Sequence, residues 1–309
     1  MLSAGWRLVW RRQRLLWWIY LLSLALGVFS AQPLDSMISP VLGHSLASDR
    51  LYHSFDLATL MELLMRPEVS PSTPALAAVF FAVIFLVLML LLTGGVLKVY
   101  NEDRTFATGE FFSAGGEYFW RFVRLAIVLL VVLLPIAGLC WAFNSWSDSL
   151  SERYAQPAPS VGVGLAGAVV ALFLLMAVRL WFDLAEVHAV AEGEYAVRRA
   201  LARAWRLTGS NFGSLFWIYL RLALFMWLGT GVVAWVWVRW VPHEAVGVSL
   251  VLSQAVVFWW ILNRLWLRAC ETLWYQQHSA APLAAERRFA ASFEVESAGA
   301  GAPPGQVSL

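Results

Sequence analysis

Residues 75–92 read ALAAVFFAVIFLVLMLLL, eighteen consecutive positions without a charge. A helix that crosses a bilayer needs roughly 20 mostly apolar residues, and this stretch continues to Leu97. A second charge-free run, Leu125–Trp141, repeats the pattern. Four further segments qualify: Leu15–Ala31, Val161–Met176 with its continuation to Trp181, Leu215–Val238 and Ala245–Leu262. The fifth span in chain order carries Arg221, which can snorkel to the interface from one turn inside the end. Backbone polar groups in lipid must be satisfied within the segment. Helices do this over such long runs, and nothing in the sequence alternates as a barrel strand would.

Composition agrees. The chain has 309 residues, 60% hydrophobic and 14% charged, with a mean hydropathy of +0.67. Soluble domains average about 45–50% apolar and about 25% charged. Disorder of the whole chain is excluded by the hydrophobicity, and a disulfide scaffold by two cysteines. The expected fold is all-α, a polytopic bundle of six transmembrane helices.

The net charge of +2 says little, but its distribution says more. Arg7, Arg11, Arg12 and Arg14 precede span one. Lys98, Arg104, Arg121 and Arg124 lie between spans two and three, and Arg198, Arg199, Arg203 and Arg206 between four and five. Arg264, Arg268, Arg287 and Arg288 follow span six, and Arg179 and Arg221 sit at the same end of their spans. Only Arg50, Arg66, Arg153 and Arg239 fall on the other side, so the division is 18 to 4. The positive-inside rule then places both termini in the cytoplasm. Tryptophans gather near span ends, as interfacial belts require: Trp17, Trp18, Trp120, Trp181, Trp205 and Trp217 at one end, Trp141, Trp146, Trp235, Trp237 and Trp240 at the other. Basic residues, a short apolar run and Val28-Phe29-Ser30 also resemble a cleavable signal peptide. Cleavage would leave five spans in the same orientation.

A weak internal repeat favours retention. Trp-Arg precedes spans one, three and five at Trp10-Arg11, Trp120-Arg121 and Trp205-Arg206. Gly109-Glu110-Phe111 and Gly193-Glu194-Tyr195 stand 84 residues apart, and Arg179-Leu180-Trp181 and Arg264-Leu265-Trp266 stand 85 apart. Three helical hairpins of one orientation account for these offsets, each led by a cytoplasmic amphipathic segment. In Tyr195–Leu207, Val197, Ala200, Leu201, Ala204 and Trp205 form an apolar stripe with arginines on other faces. Such a helix lies in the membrane interface with its arginines among anionic head groups. Phe111, Phe112, Tyr118, Phe119 and Phe122 make a similar surface before span three.

The six-helix domain is expected to occupy residues 1–275. Its largest outer loop, 32–74, holds a short amphipathic helix over Ser54–Met65, with Leu57, Leu60, Met61, Leu64 and Met65 on one face. From Gln276 hydrophobic periodicity is lost, and 276–309 reads as a disordered cytoplasmic tail.

Few motifs carry chemistry. Gly162-Val163-Gly164-Leu165-Ala166-Gly167 matches a dinucleotide fingerprint, but it opens a lipid span rather than a strand–helix turn, so close helix packing is the better reading. Arg179, Asp183 and Glu186 share one helical face at the end of span four, where charges are costly and often functional. Together with Arg221 they form the candidate polar cluster. They read either as an internal salt bridge or as a substrate or proton contact. His188 and Glu192 lie on another face, too few for a metal site. No HExxH, GxSxG or P-loop pattern occurs. Cys140 and Cys270 fall at opposite ends of the spans and are not expected to pair. No cofactor, metal or nucleic acid partner is expected. The expected partners are the bilayer and anionic lipid head groups, contacted by Arg198, Arg199, Arg203 and Arg206, with a membrane protein as a further candidate.

The segment RLWFDLAEVHAVAEG (179–193) followed by ALARAWRLTGSNF (200–212) resembles the membrane domain associated with bacterial glycerophosphoryl diester phosphodiesterases and related stand-alone six-span proteins. The matching positions of its signature are Ala200, Leu201, Ala204, Trp205 and Leu207. The chain has no room for the catalytic barrel of about 250 residues, so the resemblance implies architecture and not the phosphodiesterase activity. The expected role is that of a non-enzymatic integral protein of the bacterial inner membrane, organising or assisting a lipid- or protein-facing process. The alternative is a small-solute or lipid transporter or channel component.

Overall fold

The computed structural model describes residues 1–42, 72–102, 107–153, 158–242 and 245–300. Among them the chain forms eight helices and no strand. They are α1 (Leu2–Arg11), α2 (Gln13–Leu42), α3 (Ser72–Asn101), α4 (Thr108–Arg153), α5 (Ala158–Ala191), α6 (Val197–Ser210), α7 (Phe212–Trp240) and α8 (Val246–Ala300). Six of these, α2, α3, α4, α5, α7 and α8, are long and apolar enough to cross a membrane. The chain is a multi-pass membrane protein.

Several boundaries differ from the sequence reading. Helix α2 runs on to Leu42 and α3 starts at Ser72, so helix enters both ends of the expected outer loop 32–74. The short helix expected at Ser54–Met65 lies outside the described residues. At about 1.5 Å per residue, the 46 residues of α4 extend roughly 69 Å, against a hydrocarbon core of about 30 Å. Its first turns, with Phe111 to Arg121, therefore stand outside the hydrocarbon. Beyond Gln276, expected to be disordered, the backbone of α8 stays helical to Ala300. Gln276 donates to the Asn101 carbonyl at 3.0 Å, and His278 stacks on Trp274 at 4.0 Å. The segment is rich in Ala, Glu and Arg, which favour helix whether or not a face is apolar. Hydrophobic periodicity reports packing and was silent here.

The packing follows the repeat. Helices α3, α5 and α8, the second span of each hairpin, all touch one another and form an inner triad. Each also holds the lead-in segment of the next hairpin: α3 packs on the start of α4, α5 on α6, and α8 on α1. The two repeated tryptophans make equivalent bonds in this cycle. Trp181 Nε1 donates to the Leu201 carbonyl of α6 at 2.8 Å, and Trp266 Nε1 to the Leu2 carbonyl of α1 at 2.9 Å.

Close approach at these joints relies on missing side chains. A Cβ on Gly95 would fall 2.5 Å from the Phe111 ring and 2.8 Å from its carbonyl oxygen, and one on Gly115 would fall 2.6 Å from the Leu91 carbonyl. Across the α1–α8 joint, a Cβ on Gly5 would meet Cys270 Sγ at 2.5 Å. Small residues let membrane helices approach because lipid gives little hydrophobic drive to hold them together. Packing is uneven along the spans. The buried apolar residues, such as Leu16, Leu97, Phe122, Leu184, Leu215 and Trp274, lie toward the arginine-rich ends. Toward the other ends, Phe80, Leu130, Leu165, Leu228 and Val251 point outward as a lipid-facing surface should.

The glycine contacts give a paired test. Gly115→Ala is expected to destabilise the solubilised protein by about 1–3 kcal/mol, the usual cost of overpacking. Gly116→Ala, where a Cβ meets nothing within 4 Å, leaves stability unchanged or slightly raised. Thermal unfolding of both variants in one detergent measures the difference.

Candidate functional site

The arginine-rich ends of α5 and α8 carry charged residues at matching positions. Arg179, Asp183 and Glu186 on α5 correspond, 85 residues later, to Arg264, Arg268 and Glu271 on α8. Where the two helices meet, Arg268 is enclosed by carboxylates. It lies 3.1 Å from Asp183, 2.7 Å from Glu186 and 3.1 Å from Glu271. Arg179 reaches Asp183 from one turn earlier, at 3.4 Å. Tyr219 of α7 closes the cluster, with its hydroxyl 2.8 Å from Asp183 Oδ2 and in contact with Glu271 Oε1. Asp183, Arg268, Tyr219 and Glu271 are all buried. Opposed charges at close range offset the loss of hydration that burial imposes on each.

A second network lies one turn further along. His188 is fully buried, and its Nδ1 is 2.6 Å from the Tyr275 hydroxyl. Tyr275 donates to Glu192 Oε1 at 2.7 Å, so the histidine, tyrosine and glutamate form one chain. His188 Nε2 has no hydrogen-bond partner among the described residues. Glu192 also accepts from Arg203 of α6 at 2.5 Å. The two networks link α5, α6, α7 and α8 at one end of the bundle.

The structure thus brings Arg179, Asp183 and Glu186 together, but pairs Glu186 with Arg268 rather than with Arg179. Arg221 does not join them. Two residues beyond Tyr219 on α7, it faces outward, with its guanidinium 5.8 Å from the Trp217 ring. The arginines of α6 also divide. Arg203 is committed to Glu192, and Arg199 lies 3.8 Å from Glu194. Arg198 and Arg206 are exposed and have no carboxylate partner among the described residues. The apolar stripe of α6 is not directed at lipid throughout: Ala200, Leu201 and Ala204 are buried against the bundle. Only Trp205 stays largely open, edge-on to Trp181 at 4.9 Å.

Sequence reasoning missed Arg268, Glu271, Tyr219 and Tyr275. The first two were within reach. The 85-residue offset that matched Arg179-Leu180-Trp181 to Arg264-Leu265-Trp266 also carries Asp183 onto Arg268 and Glu186 onto Glu271. The tyrosines had no such signal, because their role depends on which faces of α7 and α8 turn inward. Among the described residues, no group of His, Cys, Asp and Glu could hold a metal ion.

On the open side of the charge cluster, a groove of about 670 Å³ runs between α2, α3, α7 and α8, with Arg179 at its edge. No family model, curated protein or solved structure matches the chain.

Removing one member of the buried cluster leaves the others uncompensated, which typically costs 3–5 kcal/mol. Arg268→Gln and Asp183→Asn are therefore expected to lower the unfolding midpoint sharply. Arg221→Gln, at an exposed position, changes stability by less than about 0.5 kcal/mol. Denaturant unfolding of the three variants in detergent checks this order.

Proposed function

We propose that the protein is a non-enzymatic integral protein of the bacterial inner membrane, with both termini in the cytoplasm, that assists a lipid-facing process. The observation that carries this reading is the state of the α6 arginines. The helix is clamped to the bundle by Ala200, Leu201, Ala204 and the Trp181–Leu201 hydrogen bond. It presents Arg198 and Arg206 outward with no carboxylate among the described residues to answer them. Exposed guanidiniums held rigidly at the expected level of the head groups favour anionic lipid, at about 1 kcal/mol per basic residue near a charged surface. Arg7, Arg11 and Arg14 of the first lead-in segment add to the same surface without an ion pair among the described residues. The sequence resemblance to phosphodiesterase-associated membrane domains rests on residues 179–212, the stretch that supplies α6 and the α5 half of the charge cluster.

A transporter or channel component is the second reading. It draws on the groove beside Arg179, since a transport path needs a cavity between spans.

The orientation is checked by reporter fusions. A fluorescent protein fused after Leu309 is expected to mature in the cytoplasm, and alkaline phosphatase inserted between residues 43 and 71 to be active outside it. For the lipid-facing role, native mass spectrometry of the detergent-purified chain is expected to show retained anionic phospholipid. The double variant Arg198→Gln/Arg206→Gln should reduce the number of weakly retained lipids about two- to fivefold. A chain that holds no anionic lipid overturns the reading.

A further inference from the structure

Resting on that lipid-facing reading, we propose that the groove between α2, α3, α7 and α8 is a binding site for one membrane phospholipid: its phosphodiester lies on Arg264, a head-group donor on Asn263, and an acyl chain along the apolar wall. The volume of about 670 Å³ falls within the usual range of ligand sites, about 300–1,000 Å³. Its lining is graded. On α8 it extends from Val256 to Arg268, roughly 18 Å at about 1.5 Å per residue. Val256, Val257 and Trp260 line it toward mid-span, while Asn263, Arg264 and Arg268 line it toward the arginine-rich end. That gradient is the shape of an amphiphile inserted parallel to the helices.

The charged end is selective for an anion. Its lining includes Arg179, Arg264 and Arg268 and no carboxylate. Asp183, Glu186 and Glu271 are engaged by Arg268 on its protein side. Arg268 is committed to them, and Arg179 leans on Asp183. Arg264 differs from its neighbours. No carboxylate lies within ion-pair distance of it among the described residues, where its guanidinium donates a hydrogen bond to Met89 Sδ, at 3.8 Å. A guanidinium free at the head of an apolar groove matches phosphate in charge and geometry.

Asn263 supplies the second requirement. It is 7% exposed and lines the same groove, and its Oδ1 is buried with no hydrogen-bond partner. A buried acceptor left without a donor is costly. A ligand hydroxyl or ammonium beside the phosphate would satisfy it. A phosphodiester lipid with a donor-bearing head group fits both residues, whereas free phosphate would leave the apolar wall empty.

The test measures lipid retained by the full-length protein in detergent, using phosphatidylglycerol and, as a phosphodiester without a head-group hydroxyl, phosphatidylmethanol. The native chain is expected to hold one phosphatidylglycerol through conditions that strip the rest. Arg264→Gln should weaken retention of both lipids at least tenfold. Val257→Trp, which fills the apolar wall and keeps Arg264, should do the same. Asn263→Leu should weaken phosphatidylglycerol and leave phosphatidylmethanol unchanged. The Arg198→Gln/Arg206→Gln variant should keep the one tight lipid. If Arg264→Gln and Val257→Trp, both folded by circular dichroism, retain it as the native chain does, the groove proposal falls while the lipid-facing reading stands. If the native chain retains no anionic lipid at all, both fall.

Discussion

Arg268 is the constraint around which the rest is arranged. Burying its guanidinium costs hydration that has to be offset, and three carboxylates meet it, two from α5 and one from its own helix. This fixes the rotation of α5 and α8 about their axes, since a small turn of either would separate charges that have left water. Tyr219 brings α7 to the same point. The neighbouring His188–Tyr275–Glu192–Arg203 chain ties α6 onto the assembly. Elsewhere the spans meet mostly through apolar contacts that lipid tails could supply nearly as well, with single hydrogen bonds such as Tyr20 to Gln254 and Trp260 to Thr230 between them. The tightest packing and the strongest electrostatic interactions therefore coincide at the arginine-rich end.

That arrangement also separates committed charge from available charge. Arg268 and Arg203 spend their donors on protein carboxylates, and Arg179 shares Asp183. Arg264, Arg198 and Arg206 have no carboxylate partner among the described residues, and they face a groove or the outside. Two arginines in equivalent repeat positions, Arg179 and Arg264, thus have different roles. In the fourth residue after each, one repeat has Asp183 and the other has Arg268. The acid holds Arg179 to a neighbour on its own helix. The base leaves Arg264 without one. The difference between Asp183 and Arg268 thus leaves one arginine in an ion pair and the other without one among the described residues.

The cyclic contact pattern gives the repeat a mechanical meaning. Each inner-triad helix holds the lead-in segment of the following hairpin, and α8 holds that of the first. No hairpin is complete by itself. Glycine permits this closure at Gly95, Gly115 and Gly5, where a single Cβ would strike backbone or a buried side chain.

The sequence alone determined the spans and the basic asymmetry of their ends. Both depend on runs of residue type, and a bilayer accepts a long apolar helix regardless of its neighbours. It also determined that Arg179 and Asp183 lie within reach, because i and i+4 meet on any helix. The α8 tail escaped it, since a helix of Ala, Glu and Arg carries no hydrophobic stripe to read. The partners of Glu186, the outward turn of Arg221, the docking of α6 on protein and the groove beside Arg264 were decided only by tertiary structure. Each depends on which face of one helix meets which face of another. In a chain whose helices are apolar nearly all round, hydropathy cannot choose that face. A few buried charges, two tyrosines and the absent side chains of three glycines do.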